Sequence, residues 1–458
     1  MKNLKTILIA LLAITFITSC TTDNLDPSIE QEKSVEGSIQ TTGDVKGILL
    51  GAYNRMTAMG YYGRNYIIFG EVRTDNTFAN ANSGRFVEPG RFKLQASYAD
   101  PYDAWFGMYR TIASANIIIG TDGAGLEGEL AEFNHYKGQA LTMRALAHFD
   151  ALKLFGQTHA GGTLGVPYVT EYKGNDLFPS RLTVDEVKTL IIQDLKDAKA
   201  LMSSTYDDSL KQMFGSASPD ALLSRVYLYF GMWPEARDAA KNVINTGSFS
   251  VMSKDGFVSS FATDGSSNTI FALAFSDTDN LGGNSLGFIY KGAVYGDIEV
   301  LENAQDLYEA GDVRGQGGIL GMEGDMIRNL GKYPALNGFD DVNIIRYEEV
   351  ILNYAEALWR INSADPNVLV ELNKITANRG ATALTSVNLD VILNERRKEL
   401  MFEGFRFDDL MRNNRSIEKV DPKQGFDSAI PYGDKRLAFP IPDDEVNANS
   451  NIIQNDGY

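Results

Sequence analysis

The sequence is poor in the residues that build cross-links and metal centres. It has one cysteine, Cys20, and three histidines, His135, His148 and His159. A disulfide within the chain and a cysteine-based zinc site are excluded, and too few imidazoles remain for a His-rich metal centre. Proline is scarce, at 13 residues against 43 glycines, which predicts long loops between the ordered parts. Only 3 tryptophans accompany 24 phenylalanines and 21 tyrosines. Beyond the first twenty residues no apolar run is long enough to span a membrane as a helix, which takes about 20 residues. Positive charge is also short: 42 Lys and Arg face 60 Asp and Glu, net −18. Such a field repels phosphate backbones and argues against a nucleic-acid partner. The P-loop string, the H-E-x-x-H helix and the EF-hand loop are all missing.

What is present is a globular composition, with 44% hydrophobic and 22% charged residues over 458 positions. This excludes a disordered chain, a collagen-like repeat and a polytopic membrane protein. The length allows about three domain-sized units or one large fold. At the N-terminus Met1 to Lys5 is basic, and Ile7 to Ile17 is an apolar run of 11 residues. That pattern predicts a secretory signal over 1–19. The run Ile17-Thr18-Ser19-Cys20 resembles a bacterial lipobox, with Cys20 as the lipidated mature N-terminus. Residues 20–43 read as a polar tether, and 44–458 as one folded domain anchored to a membrane without crossing it.

Helical periodicity runs through most of that domain. Residues 44–60 pack one apolar side. Trp105, Met108, Tyr109, Ile112, Ala115 and Ile119 form a stripe over 102–119, and Tyr136, Ala140, Met143, Leu146 and Leu154 form another over 131–155. Thr183 and Glu186 have capping-box spacing at the start of a helix over 183–203. Residues 218–246 read as a helix pair, with Ser218 as cap and Pro219 in the first turn. Gly231, Trp233 and Ala236 fall as they do in tetratricopeptide-like hairpins. A second pair is predicted over 345–380. All three tryptophans, Trp105, Trp233 and Trp359, read as core. Phe271 to Phe275 reads as a short strand. The expected class is mainly α, with helix pairs and a few short strands.

Two stretches, 61–100 and 251–340, lack helical period and are rich in Gly, Asn, Asp, Phe and Tyr. Loops of such length are usually functional. They supply Tyr61, Tyr62, Phe78, Asn80, Asn82, Arg85 and Phe86, then Phe275, Asn284, Phe288, Tyr290 and Tyr295. Flat rings match the apolar face of a pyranose, and amides and guanidinium match its hydroxyls, so these are candidate sugar contacts. None of them is Trp. Gly283-Asn284-Ser285-Leu286-Gly287 matches the nucleophile-elbow string, but every histidine precedes Ser285 and Phe288-Ile289-Tyr290 does not read as a helix, so a hydrolase site is not expected. No carboxylate pair stands in a motif that singles it out for glycoside cleavage. No cofactor is expected. Thr263 to Ser266 and Asp277 to Asn280 could offer oxygens to a structural calcium ion, though such turns are commoner than ions.

Several segments, in order, resemble the SusD/RagB family of nutrient-binding outer-membrane lipoproteins. They are Gly70 to Asn76, Ala140 to Gly156 followed by Gly165-Val166-Pro167, Ala221 to Tyr229, Ile345 to Ala357, Asn394 to Leu410, Phe439-Pro440-Ile441-Pro442 with Asn449, and Gln454 to Tyr458. The resemblance covers essentially the whole mature chain. It implies four tetratricopeptide-like helix pairs supporting a loop-rich ligand face. It implies a non-enzymatic protein on the exterior of the outer membrane that binds oligosaccharide or polysaccharide and delivers it to a TonB-dependent, SusC-like barrel. RagB-type relatives handle peptides, so peptide cargo stays open beside glycan, with a secreted glycoside hydrolase as the remaining alternative. In these segments Arg144, Arg225, Arg346, Arg396 and Arg397 lie on or beside apolar helix faces. They read as scaffold ion pairs, with Glu356, Glu395, Glu399 and Glu403 as plausible partners.

Overall fold

A local cap starts the first described helix. Thr41 and Asp44 form a capping box at the head of α1 (Thr42–Met56), so the helix opens two residues before the expected boundary at Asp44. The computed structural model describes residues 39–173 and 177–458. The signal segment, Cys20 and the tether up to residue 38 lie outside the described residues. The chain divides into Met1–Gln40 and the unit Thr41–Tyr458.

In that unit α2 (Asn65–Val72), β1 (Thr77–Ala79) and α3 (Val87–Arg91) precede two long helices, α4 (Ala99–Gly120) and α5 (Leu130–Phe155), and then α6 (Val184–Leu201). Next come α7 (Ser218–Tyr229) and α8 (Trp233–Asn245). A mixed stretch follows: α9 (Lys254–Phe257), β2 (Thr269–Leu273), α10 (Leu286–Tyr290), β3 (Ile298–Val300), α11 (Glu302–Gln305), β4 (Leu320–Glu323), β5 (Met326–Asn329) and β6 (Val342–Arg346). The chain ends with α12 (Tyr347–Ile361), α13 (Asn367–Ala377), α14 (Leu389–Leu400), α15 (Arg406–Met411) and α16 (Asp443–Ala448). The class is mainly α, as expected.

Helix packing is pairwise. α5 lies between α4 and α6, α4 packs on α1, α7 on α8, α8 on α12, and α12 on α13. Burial explains the centre: every residue from Gly138 to Leu152 of α5 is buried. Ala140, Ala145, Ala147 and Ala151 leave room for neighbours on several sides. Most buried polar groups of α5 are engaged, although His135 Nε2 and Gln139 Nε2 have no partner among the described residues. Gln139 accepts from the Tyr53 hydroxyl, and Arg144 donates to Asp194 at 2.7 Å from both Nε and Nη2. His148 lies between Arg144 O and the Val169 amide.

Three expectations are corrected. Residues 61–100 contain α2, which is helical but buried on most sides (Ile67, Ile68, Phe69, Glu71, Val72), so it shows no amphipathic period. Ser218 is not the cap of α7. Ala217 holds that position in a helical conformation without a side-chain cap, and the Ser218 hydroxyl accepts from Gly215 N instead. Trp105 is buried, but Trp233 and Trp359 are only half-buried, with the Arg360 guanidinium 4.8 Å and 5.8 Å from their ring centres.

The strands tie the two irregular stretches together. β1 pairs antiparallel with β3, Thr77 opposite Val300 and Ala79 opposite Ile298. β2 pairs with β6 through an irregular register, and β4 with β5 as a hairpin. Below them a buried ionic network joins α14 to β6 and α12. Glu399 accepts from Arg379 at 2.8 Å and 2.9 Å, and from Arg346 at 3.1 Å. Glu403 accepts from Arg346 and Lys332, and Glu395 from Arg314. Of the five arginines read as scaffold, only Arg346 meets the expected glutamates. Arg144 pairs with Asp194, Arg225 with Glu349, Arg396 with Asp409, and Arg397 with Asp75. Glu356 pairs with Arg412.

α2 also meets the segment after α14 at bare backbone. A Cβ on Gly70 would lie 2.2 Å from Gly404 O, and Gly404 itself sits at φ +84°. Neither backbone can move without disturbing the Glu71 carboxylate, which accepts from Gly404 N. Gly70→Ala is therefore expected to destabilise the domain by about 3 kcal/mol, read as a drop in the urea midpoint.

A candidate ligand-binding face

The β1–β3 ladder brings the loop after β1 against the loop before β3. Asn80 Nδ2 donates to Gly296 O at 2.8 Å and to Glu299 Oε1 at 2.7 Å. Asn82 Nδ2 donates to Tyr295 O at 2.6 Å. The Ser83 amide donates to the buried Asp297 carboxylate at 3.0 Å. The Arg85 guanidinium lies 4.5 Å from the Tyr295 ring centre and 3.7 Å from Asp297. Phe288 meets Tyr295 edge to face at 5.3 Å, and Tyr295 stays 39% exposed. Gly283 lies beneath both rings, where a Cβ would stand 3.3 Å from Tyr295 and 3.7 Å from Phe288. Arg64 joins this cluster by donating to Asn284 Oδ1 at 2.8 Å, with Phe86 5.2 Å beneath it. Burial and the nearby Arg85 lower the Arg64 pKa to about 10. Burial raises the Asp100 carboxyl to about 6, against the pull of Arg64. A cleft of about 210 Å³, lined by Phe78, Asn80, Val87, Arg91 and Lys423 among others, opens beside the same loop.

Of the twelve candidate contacts, Asn80, Asn82, Arg85, Asn284, Phe288 and Tyr295 converge here. Phe275 is half-buried at a narrow pocket with Leu281 and Ser285. Tyr61, Tyr62, Phe86 and Tyr290 are buried, and Phe78 is buried but lines the wall of the neighbouring cleft. Tyr61 and Tyr62 both donate to Asp150 Oδ2 at 2.7 Å, and Tyr66 donates to Oδ1 at 2.6 Å. Tyr290 packs against Tyr333 and Phe402. Sequence reasoning missed Arg64 and Asp297. The one local sign of Arg64 is its place directly after Tyr61-Tyr62-Gly63.

Ser285 does not form a nucleophile elbow. Contrary to the sequence reading, Leu286–Tyr290 is a short helix, and Ser285 is its cap, accepting from Phe288 N. A 3-10 turn rather than a strand precedes it. His148 is neutral in the core, with burial followed by Arg144 driving its pKa down to about 3. Among the described residues no group of three or more His, Cys, Asp or Glu could hold a metal ion. In the Asp277 to Asn280 turn, Asn280 Nδ2 donates back to Ser276 O and Asp277 O. In the other, the Ser266 hydroxyl donates to Thr263 O. No described helix is long and apolar enough to cross a membrane.

A helical scaffold carries an aromatic and amide-rich loop face, and comparison with known proteins gives the family. Residues 329–458 match the SusD family, and residues 25–228 match a family described as starch-binding associating with outer membrane. The chain belongs to the SusD/RagB family. It is 24% identical to a SusD-like protein of Formosa agariphila, over 100% of this chain and 99% of that one. A candidate sugar-binding protein from Bacteroides vulgatus superposes with a TM-score of 0.85 at 28% identity, over 92% of this chain and 99% of that one. A SusD superfamily protein from Bacteroides thetaiotaomicron gives 0.82 at 27%, over 91% and 99%.

Proposed function

We propose that this protein is a cell-surface lipoprotein, anchored through Cys20, that captures glycan nutrient and passes it to a TonB-dependent, SusC-like barrel in the outer membrane. In this reading it has no catalytic role and its loop face closes cargo over the barrel. One observation carries it: the exposed Tyr295 ring, backed by Phe288 and flanked by Arg85, inside a rim of asparagines. The ring offers a flat apolar surface to a pyranose C–H face. Asn284 keeps its amide N–H groups, and Asn82 its carbonyl oxygen, for sugar hydroxyls. The family match to starch-binding proteins and the sugar-binding relative support the cargo class.

The test is affinity electrophoresis of the purified chain through gels containing individual polysaccharides, with calorimetry against mixed peptides. A glycan is expected to retard the chain. Tyr295→Ala should weaken that binding about tenfold, as loss of an aromatic anchor does. Retention by peptides alone would move the cargo to the RagB-like class. Cleavage of any polysaccharide would overturn the non-catalytic reading.

A further inference from the structure

Away from the loop face, α4 carries a second exposed aromatic group. Tyr102, Phe106 and Arg110 recur every four residues, which places them on one stripe of the helix. Their neighbours Trp105, Met108 and Ile112 face the core, so the stripe is the solvent side. Tyr102 and Phe106 remain 38% and 45% exposed. Their rings are near-parallel, 13° apart in plane and 5.5 Å between centres. The Arg110 guanidinium lies 4.9 Å from the Phe106 centre. Singly exposed rings are ordinary, and Phe178 and Phe339 are others in this chain, but here two stacked rings and a guanidinium form one contiguous patch.

The charge beside them is also unusual. Arg55 is in the last turn of α1, which packs against α4, and lies within electrostatic reach of Arg110. Burial and that like charge lower its pKa. Neither guanidinium forms an ion pair or donates a side-chain hydrogen bond among the described residues. Arg144, Arg225, Arg314 and Arg412 find carboxylates, and Arg64, Arg73 and Arg181 donate to amide or carbonyl oxygens instead. Two like charges within electrostatic reach repel each other, and an anion bound near them relieves that repulsion. A guanidinium fork matches planar or tetrahedral oxyanions with two parallel hydrogen bonds. Net charge is −18, so an anionic ligand meets repulsion from most of the surface and attraction only where cations stand alone.

We propose that Tyr102, Phe106, Arg110 and Arg55 bind an acidic sugar unit. The rings take the pyranose face, and the guanidiniums take its carboxylate or sulfate half-ester. This rests on the glycan reading above and names the chemical class of cargo. Asp103, next to Tyr102 in the chain, packs against Gly60 at the edge of the loop stretch that begins at Tyr61.

The test compares retention of the full chain by polygalacturonate, a sulfated galactan and a neutral galactan at constant, near-physiological salt. Arg110→Gln and Phe106→Ala are each expected to cut retention by the matching acidic polymer about tenfold and to leave neutral-glycan retention unchanged. Both sites are exposed, so unchanged unfolding midpoints serve as the folding control. Loss confined to polygalacturonate assigns a carboxylate, and loss confined to the sulfated polymer assigns a sulfate. Acidic-polymer retention that survives both substitutions overturns the inference and leaves the glycan reading standing if a neutral glycan still binds. Release of a co-purifying membrane protein by Phe106→Ala, with glycan retention intact, overturns it in favour of a protein contact. Retention by no glycan of either kind removes the glycan reading itself.

Discussion

Glu399→Gln is expected to destabilise the domain by about 3–5 kcal/mol, the usual cost of breaking a buried ionic group by removing one partner. Glu399 is the hub of three guanidiniums: Arg379, Arg346 and, at 3.3 Å, Arg314. All four side chains are essentially inaccessible to water. The amide keeps the shape and removes the charge, so three buried cations lose part of their compensation. The same network sets acid sensitivity. Burial alone would raise the Glu399 carboxyl, but Arg379 and Arg346 hold it well below the usual carboxylate range. Glu403, Glu356 and Asp409 are likewise held low against burial, by Arg346, Arg412 and Arg396 respectively. A carboxyl depressed in the folded state contributes stability that is complete above its unfolded pKa, about 4. That stability is lost as pH falls through the folded value. Urea midpoints should therefore drop steeply below about pH 4, and the penalty of Glu399→Gln should shrink over the same interval.

Asp150→Ala is the second large effect, at about 3 kcal/mol or more. It strands three tyrosine hydroxyls in the core, each costing about 1–3 kcal/mol when buried without a partner. Lys153, 3.3 Å from Asp150 Oδ1, keeps Asp408 and softens the loss. Asp150→Asn still offers one acceptor oxygen and should cost less. The comparison also separates structure from binding. Tyr61→Phe and Tyr62→Phe are expected to lower the thermal midpoint and leave glycan retention unchanged, whereas Tyr295→Ala does the reverse. Retention lost in Tyr61→Phe with an unchanged midpoint would return that ring to the ligand.

The helices were legible because their information is local. Thr183 and Glu186 form the capping box their spacing predicts. The stripe through Trp105, Met108 and Ile112 buries as written. α2 was not legible, since Ile67, Ile68 and Phe69 are apolar side by side and a helix buried on most sides has no period to read. The need of the scaffold arginines for partners was also legible, from the cost of an unpaired buried charge. Their identities were not, because Asp194 is 50 residues from Arg144 and Glu349 is 124 from Arg225.

The candidate face divides along the same line. Composition marked both irregular stretches as ligand-bearing ground and supplied Arg85, Phe288 and Tyr295. It could not sort exposed rings from buried ones. A tyrosine in a Gly- and Asn-rich segment has no periodic face, so its fate depends on what the distant chain sets against it. Tyr61 is drawn inward by a carboxylate 89 residues away. Tyr295 is kept outward by the strand pairing of Thr77 with Val300 and by Arg85 across the ladder. The mainly α class, the family and the chemistry of the loops can be read from the chain alone, because period, capping and motif order are local. Which rings and which arginines meet solvent depends on the folded arrangement, because hydrogen bonding and desolvation act between residues far apart in the chain.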